Sequence, residues 1–224
     1  MRFKKKLVEV SDLILGPCVR RIPSQEKLLY LTFDDGPDLK GTPDVLQVLD
    51  KHSVQATFFV IVNHCKNRTE LLREVCRNGH SVGNHSLDHQ YKVFFSGKKS
   101  ILSWIQKAED ALSDLINEPS VGFRSPVGIR TPELNWALNQ LNIPLVLWNV
   151  RFYDTWMTWT EVKARHSIST TKPGSIVLLH DRQKQTNKDT FLKTLDVYIE
   201  LAKESGFKFA RLNRKMCLQA LSKE

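Results

Sequence analysis

Five groups of polar residues in this chain could do chemistry, and each follows an apolar run. Asp34-Asp35 closes the run 28–33, and Gly36-Pro37 then forces a turn. His85-Ser86-Leu87-Asp88-His89 follows 80–84, Arg124-Ser125-Pro126-Val127-Gly128 follows 121–123, Asp154 lies just past 144–150, and His180-Asp181 closes 175–179. Adjacent carboxylates repel unless a metal ion or an arginine stands beside them. Histidines four apart share a face of a helical turn, so His85 and His89 are expected there, both imidazoles aimed at one ion. Asp35 would complete a two-histidine, one-carboxylate set with positions left open for water and substrate, as a catalytic zinc requires. Non-haem iron uses the same donors but also needs a redox cofactor or cosubstrate pocket, for which the sequence carries no signal. Taken singly, each group has a plainer reading: a turn with a helix-capping Asp, an incidental His-x-x-x-His, a surface ion pair for Arg124, a satisfied buried histidine for His180. Their common placement after apolar runs is what argues for one site.

The elements that must position these groups alternate. Strands are expected at 28–33, 55–62, 80–84, 121–123, 144–150, 175–179 and 207–210. Helices are expected at 42–52, 69–78 with Gly79 as its stop, 100–117, 133–141, 160–170 and 189–205. Such alternation predicts a parallel α/β architecture, and about seven strand–helix units in one domain favour a barrel over an open sheet. In α/β barrels the loops at the carboxyl ends of the strands converge on one face, where active sites sit.

The chain has 224 residues, 41% hydrophobic and 25% charged, with a formal net charge of +9. That suffices for one well-cored domain, and no linker, repeat or low-complexity tract divides it. Cys18, Cys65, Cys76 and Cys217 form no Cys-x-x-Cys pair, so they read as reduced thiols and favour a reducing compartment. No stretch is long and apolar enough to span a membrane. Arg2 and Lys4-Lys5-Lys6 imitate the start of a signal peptide, but Glu9 and Asp12 break the apolar run and no cleavage site follows. Residues 1–24 are instead expected to form an amphipathic segment ahead of a domain at 25–224. Phe3, Leu7, Val10 and Ile14 lie on one helical face, which either packs on the domain or rests on an anionic membrane. The expected location is cytoplasmic, or peripheral at the inner face of the membrane.

Thr32-Phe33-Asp34-Asp35-Gly36-Pro37, then Ala56-Thr57-Phe58-Phe59, then Gly83-Asn84-His85-Ser86-Leu87-Asp88-His89 resemble the polysaccharide deacetylase family with the NodB homology domain. Arg124-x-Pro126-x-Gly128 and Leu178-x-His180 resemble its third and fifth motifs, in the right order from about residue 28 to 182, and more loosely to 212. The resemblance implies a distorted (β/α) barrel and a metal-dependent hydrolase that removes an N-acyl group, most often acetyl, from an amino sugar. It implies a divalent metal on Asp35, His85 and His89, commonly zinc, with cobalt, nickel or manganese as alternatives. Asp34 would be the base, oriented by Arg124, and His180 the acid, supported by Asp154. A backbone N–H of the 124–128 loop, that of Val127, would face the oxyanion. Pro126, Val127, Gly128, Trp156 and Leu178 would contact the substrate.

Two departures stand out. Val127 replaces a common aromatic, and Asp154 is followed by Thr155 before Trp156 rather than directly by Trp. Trp156 and Trp159 either stack on a sugar or pack in the core. His52, His64, His80 and His166 match no family motif. The expected partner is an N-acylated glycan or a lipid-linked amino sugar, with no nucleic acid. The competing readings are a same-fold amidohydrolase for a non-sugar amide and an inactive glycan-binding protein.

Overall fold

The computed structural model describes residues 11–222. Residues 11–15 are helical (α1). The expected amphipathic face rests mainly on Phe3, Leu7 and Val10, which lie outside the described residues; its last member, Ile14, is 62% exposed. Asp12 anchors this stretch, accepting both Arg20 nitrogens and the Arg130 guanidinium at 2.6 Å.

The elements then run β1 (Leu28–Asp34), α2 (Gly41–Lys51), β2 (Thr57–Val60), α3 (Val62–Cys65), α4 (Thr69–Arg77), β3 (Ser81–Asn84), α5 (Lys98–Ile116), α6 (Pro132–Gln140) and β4 (Val150–Arg151). After these come α7 (Glu161–Thr170), β5 (Ser175–His180), α8 (Lys188–Glu204), β6 (Lys208–Phe209) and α9 (Arg214–Leu221). Local chemistry sets several boundaries. Gly79 adopts φ 79° two residues after α4, and Asn117 closes α5 in the left-handed region. Thr131 and Asn213 cap α6 and α9 by accepting the Leu134 and Met216 N–H groups.

All strand pairs are parallel, in the order β3-β2-β1-β5-β4, with β6 against the start of β1. β5 runs along Leu29–Asp34, so β6 and β2 share the other edge of β1, at 28–29 and 32–34. Beyond β3 the pairing continues as single bridges: Asn84 to Phe123, Phe123 to Leu145, Val146 to Val19, and Arg21 back to Ser175 of β5. This is the distorted barrel in hydrogen-bond terms. About seven strands were expected, and the sheet has six among the described residues. Residues 121–123 and 145–146 contribute bridges where strands were expected.

Alternation along β1 sorts its residues. Leu29, Leu31 and Phe33 join Phe58, Val60, Val177 and Leu179 in the cluster under the surrounding helices. Tyr30 packs inside the barrel with Phe59, Ile176, Val19 and Val146, and Leu212, Cys217 and Ala220 seal that end. Each fully buried large apolar side chain contributes about 1.5–3 kcal/mol. The inward parity of Tyr30 continues to Thr32 and Asp34, so the sequence alternation that builds the core also delivers a carboxylate to the open end. All four cysteines are free thiols, and burial pushes those of Cys65 and Cys217 up to about 12. No described helix is long and apolar enough to cross a membrane.

Candidate active site

Asp34 and Asp35 face different environments. Asp34 Oδ1 accepts Arg124 Nη1 at 2.7 Å, and Arg124 is wholly buried. The same guanidinium donates to Thr32 Oγ1, Val146 O and Leu147 O, and lies 3.9 Å over the Phe59 ring. A buried charge needs such full satisfaction. At Asp35 the backbone turns left-handed, φ 75°, which swings the second carboxylate toward the loop after β3. There His85 Nε2 and His89 Nε2 lie 3.3 and 3.4 Å from Asp35 Oδ1. A Cβ on Gly36 would lie 2.3 Å from the Asp181 carboxylate, so any larger residue at 36 would have to displace that side chain.

Asp35, His85 and His89 present three donor atoms within 4.8 Å of one another. His85 Nδ1 lies 2.8 Å from the Arg124 carbonyl oxygen and must donate to it. In the neutral ring this leaves a lone pair on Nε2, aimed at a carboxylate oxygen that is buried and accepts no hydrogen bond. Facing lone pairs are what a cation reconciles, so the donor set fits a divalent metal, and the Arg124 carbonyl supplies the contact that fixes the tautomer. Burial would raise the Asp35 carboxyl, but the close approach of the His85 ring, with positive charge on His85, His180 and His89, outweighs it and holds the group well below the usual carboxylate range. Burial, with the charge of His85, lowers His89 and favours the neutral ring a ligand needs.

The expected helical turn under the two histidines is absent. Ser86 and His89 both have positive φ, 80° and 59°, and the segment is a loop. Local side chains replace the helix: Asn84 Oδ1 accepts the Ser86 N–H, and Ser86 Oγ accepts the His89 N–H. Asn84 Nδ2 in turn donates to the buried Glu109 of α5. The tight loop still brings the rings to 5.1 Å between centroids.

Across the mouth, His180 ends β5. Its Nδ1 lies 3.0 Å from Asp154 Oδ1, and its backbone N–H donates to Asp154 Oδ2. Burial would lower His180, but the Asp154 bond and charge, with Asp34 and Asp35, raise it to about 9. Tyr153 takes φ 58° directly before Asp154, and its carbonyl accepts the Trp156 and Met157 N–H groups, closing a turn around Asp154.

These groups line one cleft of about 300 Å³. Asp34, Asp35, His85, His89, Val127, Asp154, Trp156, Leu178 and His180 all border it. Val127 is exposed, at φ 50°. Arg124 stands behind Asp34. Pro126 is buried and does not line the cleft, and Gly128, also outside it, lets the loop pass the Trp148 ring. The two tryptophans part: Trp156 is 86% exposed at the rim, whereas Trp159 is 1% exposed and stacked on Phe152. His80 accepts the Ala56 N–H in the interior, where burial lowers it to about 4.

Sequence reasoning assigned no role to Tyr91, Trp148, Arg151, Tyr153 and Thr155, which also border the cleft. Their signal was proximity to a motif: Tyr91 stands two residues after His89, and the others flank Asp154. In the sequence Asp181 stands out only as the neighbour of His180. It is buried, accepts the Thr42 hydroxyl, and is raised to about 7 by burial, tying β5 to the start of α2.

The family model described as polysaccharide deacetylase matches residues 21–146. A chitooligosaccharide deacetylase of Sinorhizobium fredii is 35% identical over 154 residues, 68% of this chain and 71% of its own. The solved Bc1960 peptidoglycan N-acetylglucosamine deacetylase superposes with a TM-score of 0.77 at 28% identity, over 87% of this chain and 90% of that one. A family 4 acetyl xylan esterase from Clostridium thermocellum, solved with a cobalt ion, superposes with a TM-score of 0.72 at 29% identity, over 83% and 88%.

Proposed function

The chain belongs to the polysaccharide deacetylase family, and from that premise we propose that it hydrolyses the N-acyl group, in the simplest case acetyl, of an amino sugar within a glycan. The observation that carries this reading is the division of labour between two consecutive carboxylates. Asp34 is held by Arg124, whereas Asp35 joins two imidazoles in a set that fits a metal.

Asp35, His85 and His89 would hold a divalent metal, with zinc our first choice and cobalt, nickel or manganese as substitutes. When bound, such an ion polarises an amide carbonyl and lowers the pKa of water at the site. The remaining work falls to this chain's residues. Arg124 occupies Asp34 Oδ1, so Oδ2 is the oxygen that takes a proton from the attacking water. Val127 is exposed on the facing loop and borders the cleft, and its backbone N–H would be the donor to the oxygen that becomes negative. His180, protonated at neutral pH by its pairing with Asp154, delivers a proton to the departing amine nitrogen. Leu178 and Trp156 supply apolar wall for the sugar. The products are a free amino sugar and a carboxylate.

The test is mass spectrometry of acetylated chito-oligosaccharides after incubation with zinc-loaded protein. Loss of about 42 Da per deacetylated sugar, the mass change of replacing N-acetyl by amine, is the expected result, and it should be absent with Asp34→Asn. Unchanged masses, with cyclic ureides hydrolysed instead, would move the reading to a non-sugar amide. Unchanged masses with sugar binding intact would make the protein an inactive binder.

A further inference from the structure

The catalytic cleft does not end at its rim. Arg151 and Tyr153 line it on one side and, on the other, border a second, more open groove of about 640 Å³. That groove lies between β4 and α7, where Lys163, His166 and Thr170 recur at helical spacing on one face while Ala164 and Ile168 point to the core. Lys172, just past α7, also borders it. Three cationic side chains and a histidine therefore face this groove, and no Asp or Glu lines it.

Arg151 is the junction. It pairs in register with Leu178, two residues before His180, so its side chain leaves the sheet on the catalytic face. Its guanidinium lies 3.8 Å over the Tyr153 ring and 5.7 Å from that of Trp148. Stacking fixes the plane of the fork and leaves its N–H edge for a ligand. No carboxylate of the described residues forms an ion pair with it, although the chain is exposed there. Tyr153 is held in the left-handed region, φ 58°, a conformation an aromatic residue adopts at a cost. That backbone sets its ring beneath Arg151 while the next residue reaches His180. A neutral chain of acetylated sugars offers such a groove hydrogen-bond acceptors but no charge to balance its cations.

We propose that this groove is an anion-binding subsite, and that the substrate is a glycan carrying phosphate or carboxylate groups beside the N-acyl sugar in the cleft. Arg151 would grip the nearest oxyanion through two parallel N–H groups, and Lys163 and Lys172 would draw the groups farther along the chain. The inference rests on the deacetylase reading and names its substrate class.

The experiment uses the zinc-loaded full chain and three acetylated oligosaccharides of equal length: one neutral, one with carboxylates on neighbouring sugars, one with phosphate esters. At low salt we expect kcat/KM for one charged oligomer to exceed that for the neutral one by about tenfold, through KM, with the preference shrinking as salt rises. Which charged oligomer wins identifies the oxyanion. Arg151→Gln combined with Lys172→Gln should reduce the charged-to-neutral ratio to about one. A ratio near one in the unaltered protein, or a ratio the double variant leaves intact, would overturn the subsite. If no oligomer is hydrolysed, the deacetylase reading fails on its own, and calorimetry of the same oligomers decides the subsite. Salt-sensitive binding of a charged oligomer that the double variant loses supports it, and absence of such binding rejects it.

Discussion

Asp34 and Asp35 are one peptide bond apart, yet their isosteric amides should fail differently. Asp34→Asn should keep the metal and lose turnover, because an amide cannot take a proton from water. Asp35→Asn should release the metal first. Metal analysis beside single-turnover assays checks both, and a metal-free Asp34→Asn with a loaded Asp35→Asn would exchange the roles. His180 carries a pH prediction. Folding raises its pKa from 6.5 to about 9. The stability gained from the His180–Asp154 pair is therefore complete below about pH 6.5 and lost as pH climbs through about 9. The alkaline limb of kcat/KM should fall in the same upper region, and Asp154→Asn should move it down toward the ordinary histidine range. A pH–rate profile with an NMR titration of the ring measures both, and an unmoved limb would assign the proton to another group. His180→Ala should cost about 10²–10⁴-fold in turnover with normal metal content. Arg124 belongs to structure as much as to chemistry. Arg124→Met leaves a buried Asp34 unpaired and should destabilise by about 3–5 kcal/mol in urea unfolding.

Among the elements, the buried strands were legible because apolar β-prone runs ended in turn residues, and β1, β3 and β5 lie within a residue of where 28–33, 80–84 and 175–179 placed them. The helices 69–78 and 100–117 were equally plain from periodicity and their stop residues. Two of the departures have identifiable reasons. The spacing of His85 and His89 suits a helical turn, but Asn84, Ser86 and Glu109 offer the backbone another set of bonds, and a loop results. Residues 144–150 have strand composition, yet the Val146 and Leu147 carbonyls turn to Arg124, and the Asn149 side chain bonds the Ile176 N–H and the Ser175 hydroxyl across to β5. A bond to a distant guanidinium has no local pattern, so it could not be read in advance. The Glu109–Asn84 contact gives an element-scale prediction. Asn84→Ala should loosen the histidine loop and weaken metal affinity by about 10–100-fold while the fold persists, as competition with a chelator would record. Unchanged affinity would show that the loop holds its shape without it.

At the scale of the whole molecule, α9 seals one end of the barrel and the five polar groups crowd the other, so an altered seal should change stability and leave the chemistry alone. Leu212→Asp would bury a charge among Tyr30, Ile176 and Cys217 and should cost several kcal/mol, about as much as an uncompensated buried charge elsewhere. Thermal unfolding measures this, and a melting point equal to that of the parent would show that the end opens to water. The single bridges that complete the barrel also have a temporal side. Residues 19–21 are translated early, but the backbone they pair with, at Val146 and Ser175, is translated much later. The stave made first is seated last. A ribosome must deliver most of the chain before the ring can shut, and until then Val19 and Ile22 remain unburied and adhesive. Closure is thus a high-contact-order event that falls late and slowly in folding. A nascent chain arrested before residue 146 should resist protease at β1–β3 and be cut readily near residue 20.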